Sequence, residues 1–275
     1  MSDRDNQQTL VELPQLQWSV LRLSWQVMPA YLQGADPSHS WWSLYIAEQP
    51  GLLVEHAGGR HRIGPHRLSF IPPWLPFVYR FPPELLHGFV HFAVADLPGV
   101  LVRRLFPQPV GIDDPLLLAE MQALMEPLRA GSSVDAGLAG LRASRLVAGA
   151  LVRLLETVDP ADRPLLYDPA DHWGRLGPAL RHVRQHLHRP IAVADLAAEL
   201  GVNEKQCTRL FRRHLGQSPM QYCSEQRLQR AAELLLGTDW SLTVIATACG
   251  FANAQYLSRQ FRRQHGLPPP RWRER

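Results

Sequence analysis

The sequence predicts a mixed fold: an N-terminal β domain of jelly-roll or small-barrel type with accessory helices, then an all-α C-terminal domain of two helix-turn-helix units joined by a linker helix. Three observations carry this reading. Short apolar runs between residues 40 and 95 recur at intervals of about ten residues, separated by Gly and Pro. From Pro115 the pattern changes to Leu- and Ala-rich segments of helical period. Beyond Asp171 one helix-glycine-helix pattern occurs twice. A chain of 275 residues fits about two domains, and with 45% apolar and 20% charged residues it matches none of the disordered, collagen-like or coiled-coil classes.

The elements follow in order. Trp41 to Glu48 is rich in aromatic and β-branched residues, and Leu52 to Glu55 runs into Ala57-Gly58-Gly59, a hairpin signal. Leu68 to Ile71 is a short apolar run closed by Pro72-Pro73, and Phe77 to Phe81 is aromatic. In Phe89 to Val94, alternation puts Val90, Phe92 and Val94 on one face of a strand and Phe89, His91 and Ala93 on the other. Pro115 to Arg129 and Val134 to Val158 read as helices. In the second, Leu138, Leu141, Val147, Leu151, Leu154 and Val158 form a wide stripe, which either covers the barrel or forms a dimer interface. Asp159 to Ala170 carries three prolines among charged residues and reads as a linker. The division is thus 1–110, 111–158, 159–170 and 171–275.

Charge separates along the same line. From Asp171 onward there are 16 basic and 8 acidic residues, a net of +8; before it there are 13 and 17, a net of −4. A polyanionic partner is therefore expected for the C-terminal part alone.

In that part, Leu196-Ala197-Ala198-Glu199-Leu200-Gly201-Val202 corresponds to Ile245-Ala246-Thr247-Ala248-Cys249-Gly250-Phe251. After one extra residue in the second copy, Thr208-Arg209-Leu210-Phe211-Arg212-Arg213 corresponds to Ser258-Arg259-Gln260-Phe261-Arg262-Arg263. Gly216, Pro219 and Tyr222 likewise match Gly266, Pro269 and Trp272. Gly201 ends a first helix where a left-handed residue costs no Cβ clash, and Asn203 and Asn253 are N-caps for the second helices. Those second helices should bury Cys207, Leu210 and Phe211, and Leu257 and Phe261, with Arg209 and Arg259 on the opposite face and Gly216 and Gly266 closing them. Met220 to Leu236, apolar at Leu228, Ala231, Ala232 and Leu235, reads as the connecting helix.

At these residues the sequence resembles the AraC/XylS family of bacterial transcription regulators, over roughly Pro178 to Arg273. The motifs are Asp195-Leu196-Ala197, Leu210-Phe211-Arg212-Arg213, Gly216-x-x-Pro219-x-x-Tyr222, Arg227-Leu228, Ala231, Leu234-Leu235, Ile245-Ala246, Gly250-Phe251, Leu257-Ser258-Arg259-x-Phe261-Arg262-Arg263 and Gly266-x-x-Pro269. The resemblance implies that both second helices enter successive major grooves of duplex DNA. By position, Lys205, Thr208 and Arg209, and Gln255, Ser258 and Arg259, would face bases, with Ala254 offering them no hydrogen bond. Arg212, Arg213, Arg262 and Arg263, nearer the helix ends, would meet phosphate. Ala192 stands where the family usually has a hydroxyl N-cap, Lys205 replaces a usual aromatic, and Cys207 a usual leucine. Gly64-Pro65-His66-Arg67-Leu68-Ser69-Phe70-Ile71-Pro72-Pro73 resembles the strand and turn of the family's cupin-like sensor domains.

The alternative is a cupin-type metal-dependent enzyme with an appended helical domain. The H-x-H-x(3,4)-E ligand set of such enzymes is absent; His56, His61 and His66 are spaced by five, which puts neighbours on opposite faces of a strand. Neither a metal site nor a cofactor is expected. Cys207, Cys223 and Cys249 have no C-x-x-C spacing and read as core residues, so no catalytic residue is assigned. Aromatic residues concentrate before residue 110, and Trp41, Tyr45, His56, Arg60, Trp74, Tyr79 and His91 are the candidate lining of a small-molecule effector pocket. No stretch approaches the ~18 apolar residues of a membrane helix, and Met1 to Thr9 is polar. The expected protein is therefore cytoplasmic, dimeric, and partnered by promoter DNA, a small-molecule effector and, for an activator, RNA polymerase.

Overall fold

The structure, a computed structural model, describes residues 16–34, 41–94, 97, 99–167, 174–265 and 267–273. Its first half is three layers. One sheet has the order β1-β7-β2-β5-β8, from Trp18–Val27 (β1), Trp42–Ala47 (β2), Leu68–Ile71 (β5), Leu86–Val94 (β7) and Val110–Ile112 (β8). A second has the order β4-β3-β6, from Leu52–His56 (β3), Gly59–Ile63 (β4) and Phe77–Arg80 (β6). All the strand pairs are antiparallel. Between the sheets lie Tyr45, Leu52, Val54, Ile63, Ile71, Phe77, Tyr79 and Phe89.

The far face of the five-stranded sheet is covered by helices α1 (Gly99–Leu105), α2 (Pro115–Arg129) and α3 (Ala136–Glu156). Trp42, Leu44, Phe70, Val90 and Phe92 there pack on Met121, Leu146, Val147 and Leu154. Because this sheet is covered on both sides, every residue of β2 is buried, and apart from Ser43 the strand reads as an apolar run rather than an alternation. The α3 stripe is divided: Val147, Leu151, Leu154 and Val158 cover the sheet, whereas Leu138 and Leu141 are 47% and 72% exposed. The division drawn at 110/111 falls inside β8, and the helices after it share one core with the strands before it. Within 159–170, Pro164–Tyr167 forms a short helix, α4, and Leu166 packs on the same core. Residues 168–173, and so the boundary at Asp171, lie outside the described residues.

The C-terminal half is helical: α5 (Gly177–His186), α6 (Val193–Glu199), α7 (Glu204–Leu215), α8 (Pro219–Gly237), α9 (Leu242–Ala248), α10 (Ala254–His265) and α11 (Pro269–Arg273). It has two cores. Leu180, Leu196, Phe211 and Leu215 surround Tyr222 and Cys223 of α8, and Ile245, Leu257, Phe261 and Trp272 surround Leu228, Ala231 and Leu235 farther along the same helix. The β half docks on this unit. Trp41 packs into the second core with its ring 4.5 Å from that of Trp272, Trp74 stacks 6.3 Å from His265, and Gly99 lies so close to α8 that a Cβ there would sit 2.7 Å from Glu225 Oε1. Trp74 itself holds a left-handed backbone, φ 63°, a conformation that a non-glycine residue keeps only where its surroundings fix it.

Candidate nucleic-acid interface

The two helix-turn-helix units are built by the same local chemistry. Gly201 and Gly250 both adopt left-handed backbone, φ 62° and 71°. In each, the residue after the glycine donates back into the first helix, Val202 N to Ala197 O at 3.0 Å and Phe251 N to Ala246 O at 2.8 Å, which turns the chain sharply and satisfies carbonyls that a helix end leaves open. Asn203 Oδ1 then accepts from Gln206 N at 2.9 Å, and Asn253 Oδ1 from Tyr256 N at 2.8 Å, so both second helices start on the predicted caps. Gly216, φ 69°, closes α7; Gly266 lies outside the described residues. At α6, Ala192 has no side-chain oxygen, and only the reciprocal half of the cap forms, with Ala192 N donating to Asp195 Oδ2 at 2.7 Å.

These caps rotate α7 and α10 into matching orientations. Cys207, Phe211 and Leu215 point into one core, and Leu257, Phe261 and His265 into the other; Leu210 is only partly covered. Lys205, Arg209, Arg212 and Arg213 are exposed on the opposite face of α7, with Thr208 half-buried. On α10 the same is true of Gln255, Arg259, Arg262 and Arg263, with Ser258 half-buried. The Arg259 guanidinium lies 5.7 Å from the centre of the Tyr256 ring, an aromatic neighbour that sequence reading did not assign. The β half docks at the back and the C-terminal end of α10, where Trp74 stacks on His265 and Trp41 packs on Trp272, which itself lies against Phe261 and His265, and the arginine face stays exposed.

The seven candidate effector residues are not brought together. Tyr45, Tyr79 and His91 do meet: Tyr79 Oη donates to Tyr45 Oη at 2.9 Å, and Tyr45 Oη lies 3.4 Å from His91 Nε2, all buried. Trp41 joins this group at its rim, with its ring 5.1 Å from that of His91 and its other side on Trp272, whereas Trp74 faces the helical unit. His56 accepts from Gly58 N on the outer hairpin, and the exposed Arg60 pairs with Glu55 at 2.9 Å. A cavity of about 290 Å³ lies elsewhere, where β1 and β2 meet the end of α2, lined by Trp25, Ile46, Glu48, Gln122, Met125 and Arg129 among others; none of the seven lines it.

Among the described residues no group of three or more His, Cys, Asp and Glu is arranged to hold a metal ion, and no helix is long and apolar enough to cross a membrane. The three cysteines are buried thiols, and desolvation pushes Cys223 up to about 11 and Cys249 up to about 12, which suppresses thiolate chemistry at neutral pH.

Comparison with known proteins supports the helical part directly. A family model for a helix-turn-helix domain matches residues 196–275. The chain is 37% identical over 84 residues to the HTH-type transcriptional regulator GbdR of Pseudomonas aeruginosa, covering 30% of this chain and 23% of GbdR. It is 33% identical over 95 residues to CdhR of the same species, covering 34% and 28%. The matched stretch thus spans about a quarter of these relatives' length. Over nearly the whole chain, 96% of it and 97% of the other, the fold is similar to that of ToxT from Vibrio cholerae, with a TM-score of 0.57 at 11% identity. A duplicated helix-turn-helix pair of this geometry, in a stretch that a helix-turn-helix family model matches and that is similar to known HTH-type transcriptional regulators, makes residues 196–275 a helix-turn-helix domain of the kind those regulators carry.

Proposed function

We propose that the protein is a sequence-specific transcription regulator that binds double-stranded promoter DNA through α7 and α10 and answers to a small-molecule effector through its β half. The observation that carries the DNA reading is the pair of equivalent, open, arginine-bearing helix faces on a part of the chain with a net charge of +8. Arg209 and Arg259 lie one to two turns inside their helices, where recognition side chains reach base edges, and an arginine there can pair bidentately with guanine. Arg212, Arg213, Arg262 and Arg263 suit phosphate, with the capped helix N-termini adding favourable dipoles. Residues 171–275 form the DNA-binding unit in this reading, and the molecule works in the cytoplasm without enzymatic activity.

Binding of Arg209→Ala and Arg259→Ala to cognate and scrambled duplexes across a salt series tests the assignment. Each should lose about 1–3 kcal/mol on the cognate duplex and relax preference at one base pair. Loss of a phosphate arginine should weaken both duplexes alike and lower the salt slope by roughly 0.9 per contact. A uniform loss with a reduced slope for Arg209→Ala and Arg259→Ala would remove them from base readout.

The effector reading draws support from the fold likeness to ToxT, of which one structure is described as bound to an unsaturated fatty acid. Homodimerisation through residues before 171 belongs to the same reading; Leu138, Leu141 and Val152, exposed along the outer side of α3, are its candidate contacts, and sedimentation at micromolar concentration tests it. Contact with RNA polymerase follows if the regulator activates.

A further inference from the structure

Two reading helices recognise a bipartite site only if something fixes the distance and angle between them. The two helix-turn-helix cores are separate clusters, joined along α8, with Tyr222 and Cys223 in the first and Leu228 onward in the second. Arg227 stands at the boundary. Its Nε donates to Leu187 O at 3.0 Å and its Nη2 to Arg189 O at 2.6 Å, filling carbonyls at the C-terminal end of α5 in the first unit. The turn of the second unit closes on the same spot: a Cβ on Gly250 would lie 2.2 Å from Leu187 O and 3.1 Å from Arg227 Nε. The end of α5, the middle of α8 and the turn between α9 and α10 therefore meet around one guanidinium, whose planar fork holds two carbonyls in fixed directions.

We propose that Arg227 is a positioning residue for DNA spacing: without touching DNA, it locks the two helix-turn-helix units in one relative orientation and so sets which separation of half-sites the protein accepts. The proposal rests on the DNA-binding reading above. One inserted base pair moves the second half-site by about 3.4 Å and about 35°, more than a fixed pair of reading helices tolerates.

The test uses full-length protein and a duplex selected from a random library by the wild type, together with the same duplex carrying one or two base pairs inserted between the contacted segments. For Arg227→Gln, the wild-type penalty for one inserted base pair, about tenfold, should shrink to about threefold or less, because two charge-assisted hydrogen bonds that resist reorientation are gone. Spin labels on His214→Cys and Gln264→Cys, both exposed while the three native cysteines are buried, read the separation of α7 and α10 without DNA; their distance distribution should broaden in Arg227→Gln. An unchanged spacer penalty together with an unchanged distribution overturns the proposal. If the wild type selects no duplex, the DNA-binding reading fails, and the distance measurement still decides the role of Arg227. Should Arg227→Gln not fold, Arg227→Lys keeps the charge but loses the fork, and a wild-type distribution in that variant is equally fatal.

Discussion

Trp41→Ala probes how the β half is tied to the helical half. Trp41 is 3% exposed, and its ring lies between His91 of the five-stranded sheet, 5.1 Å away, and Trp272 of the helical unit, 4.5 Å away in an edge-on arrangement. A buried tryptophan covers roughly 150–250 Å², which at about 25 cal/mol/Å² amounts to about 4–6 kcal/mol, close to the 3–5 kcal/mol found when large core aromatics are cut to alanine. One side of the ring faces each half, so about half of this, roughly 2–3 kcal/mol, should be lost from docking rather than from either half alone. Peptide-resolved hydrogen exchange is the assay. Amides of the C-terminal turns of α10 and of α11 should exchange roughly 30- to 150-fold faster in the variant, while β5 and α2 keep wild-type protection. Trp41→Phe, which retains an edge contact, should fall between. Wild-type exchange at Phe261–Trp272 in Trp41→Ala would refute the argument, because it would mean that the ring fills space without coupling the halves.

Acid should destabilise the β half. His87, 2% exposed with Nδ1 3.1 Å from Gln26 O, is held down to about 4 by burial, against an ordinary value of 6.5. Its neutral form is the one the fold accepts, so stability is full above pH 6.5, falls as the unfolded chain takes up a proton below that, and is lost to the extent of about 3 kcal/mol once the pH passes below 4. His61, lowered to about 4 by burial and by Arg67, titrates in the same window. Urea midpoints at pH 7 and pH 5 should therefore draw closer in His87→Gln without becoming equal; an undiminished gap would count against the assignment. Ala192→Ser should complete the half-formed cap of α6 and stabilise the helical unit by about 0.5–1 kcal/mol, read as a raised urea midpoint with an unchanged slope. No gain would mean that Asp195 already satisfies that helix end.

The helix-turn-helix half was legible in the sequence because its signals are local. Glycines at two left-handed positions, asparagine caps, and apolar residues at helical spacing each act within about one or two turns, and the duplication states them twice. Strands β2, β3, β5, β6 and β7 were legible for the same reason, whereas β4 was signalled only by the hairpin turn at Ala57-Gly58-Gly59. Where a long-range contact decided the outcome, the sequence was silent or ambiguous. In β1, Trp18 and Val20 face the helices that cover the sheet, a register shift follows at Leu21, and Leu23 and Trp25 then face the same way; the slip of one residue breaks the alternation and sends Leu21 to the core of the second helix-turn-helix unit. β8, three residues long, exists only because β5 offers an edge. The α3 stripe reads as cover or as interface, and the sheet face it packs on makes Val147, Leu151 and Leu154 cover. Composition grouped the aromatic residues into one pocket, yet the fold sends Trp41 and Trp74 to the helical unit, buries Tyr45 and Tyr79 between sheets, and leaves Arg60 on the surface. Local sequence sets caps, turns and periods, whereas which apolar surfaces meet across two halves of a chain depends on the shape each presents once folded.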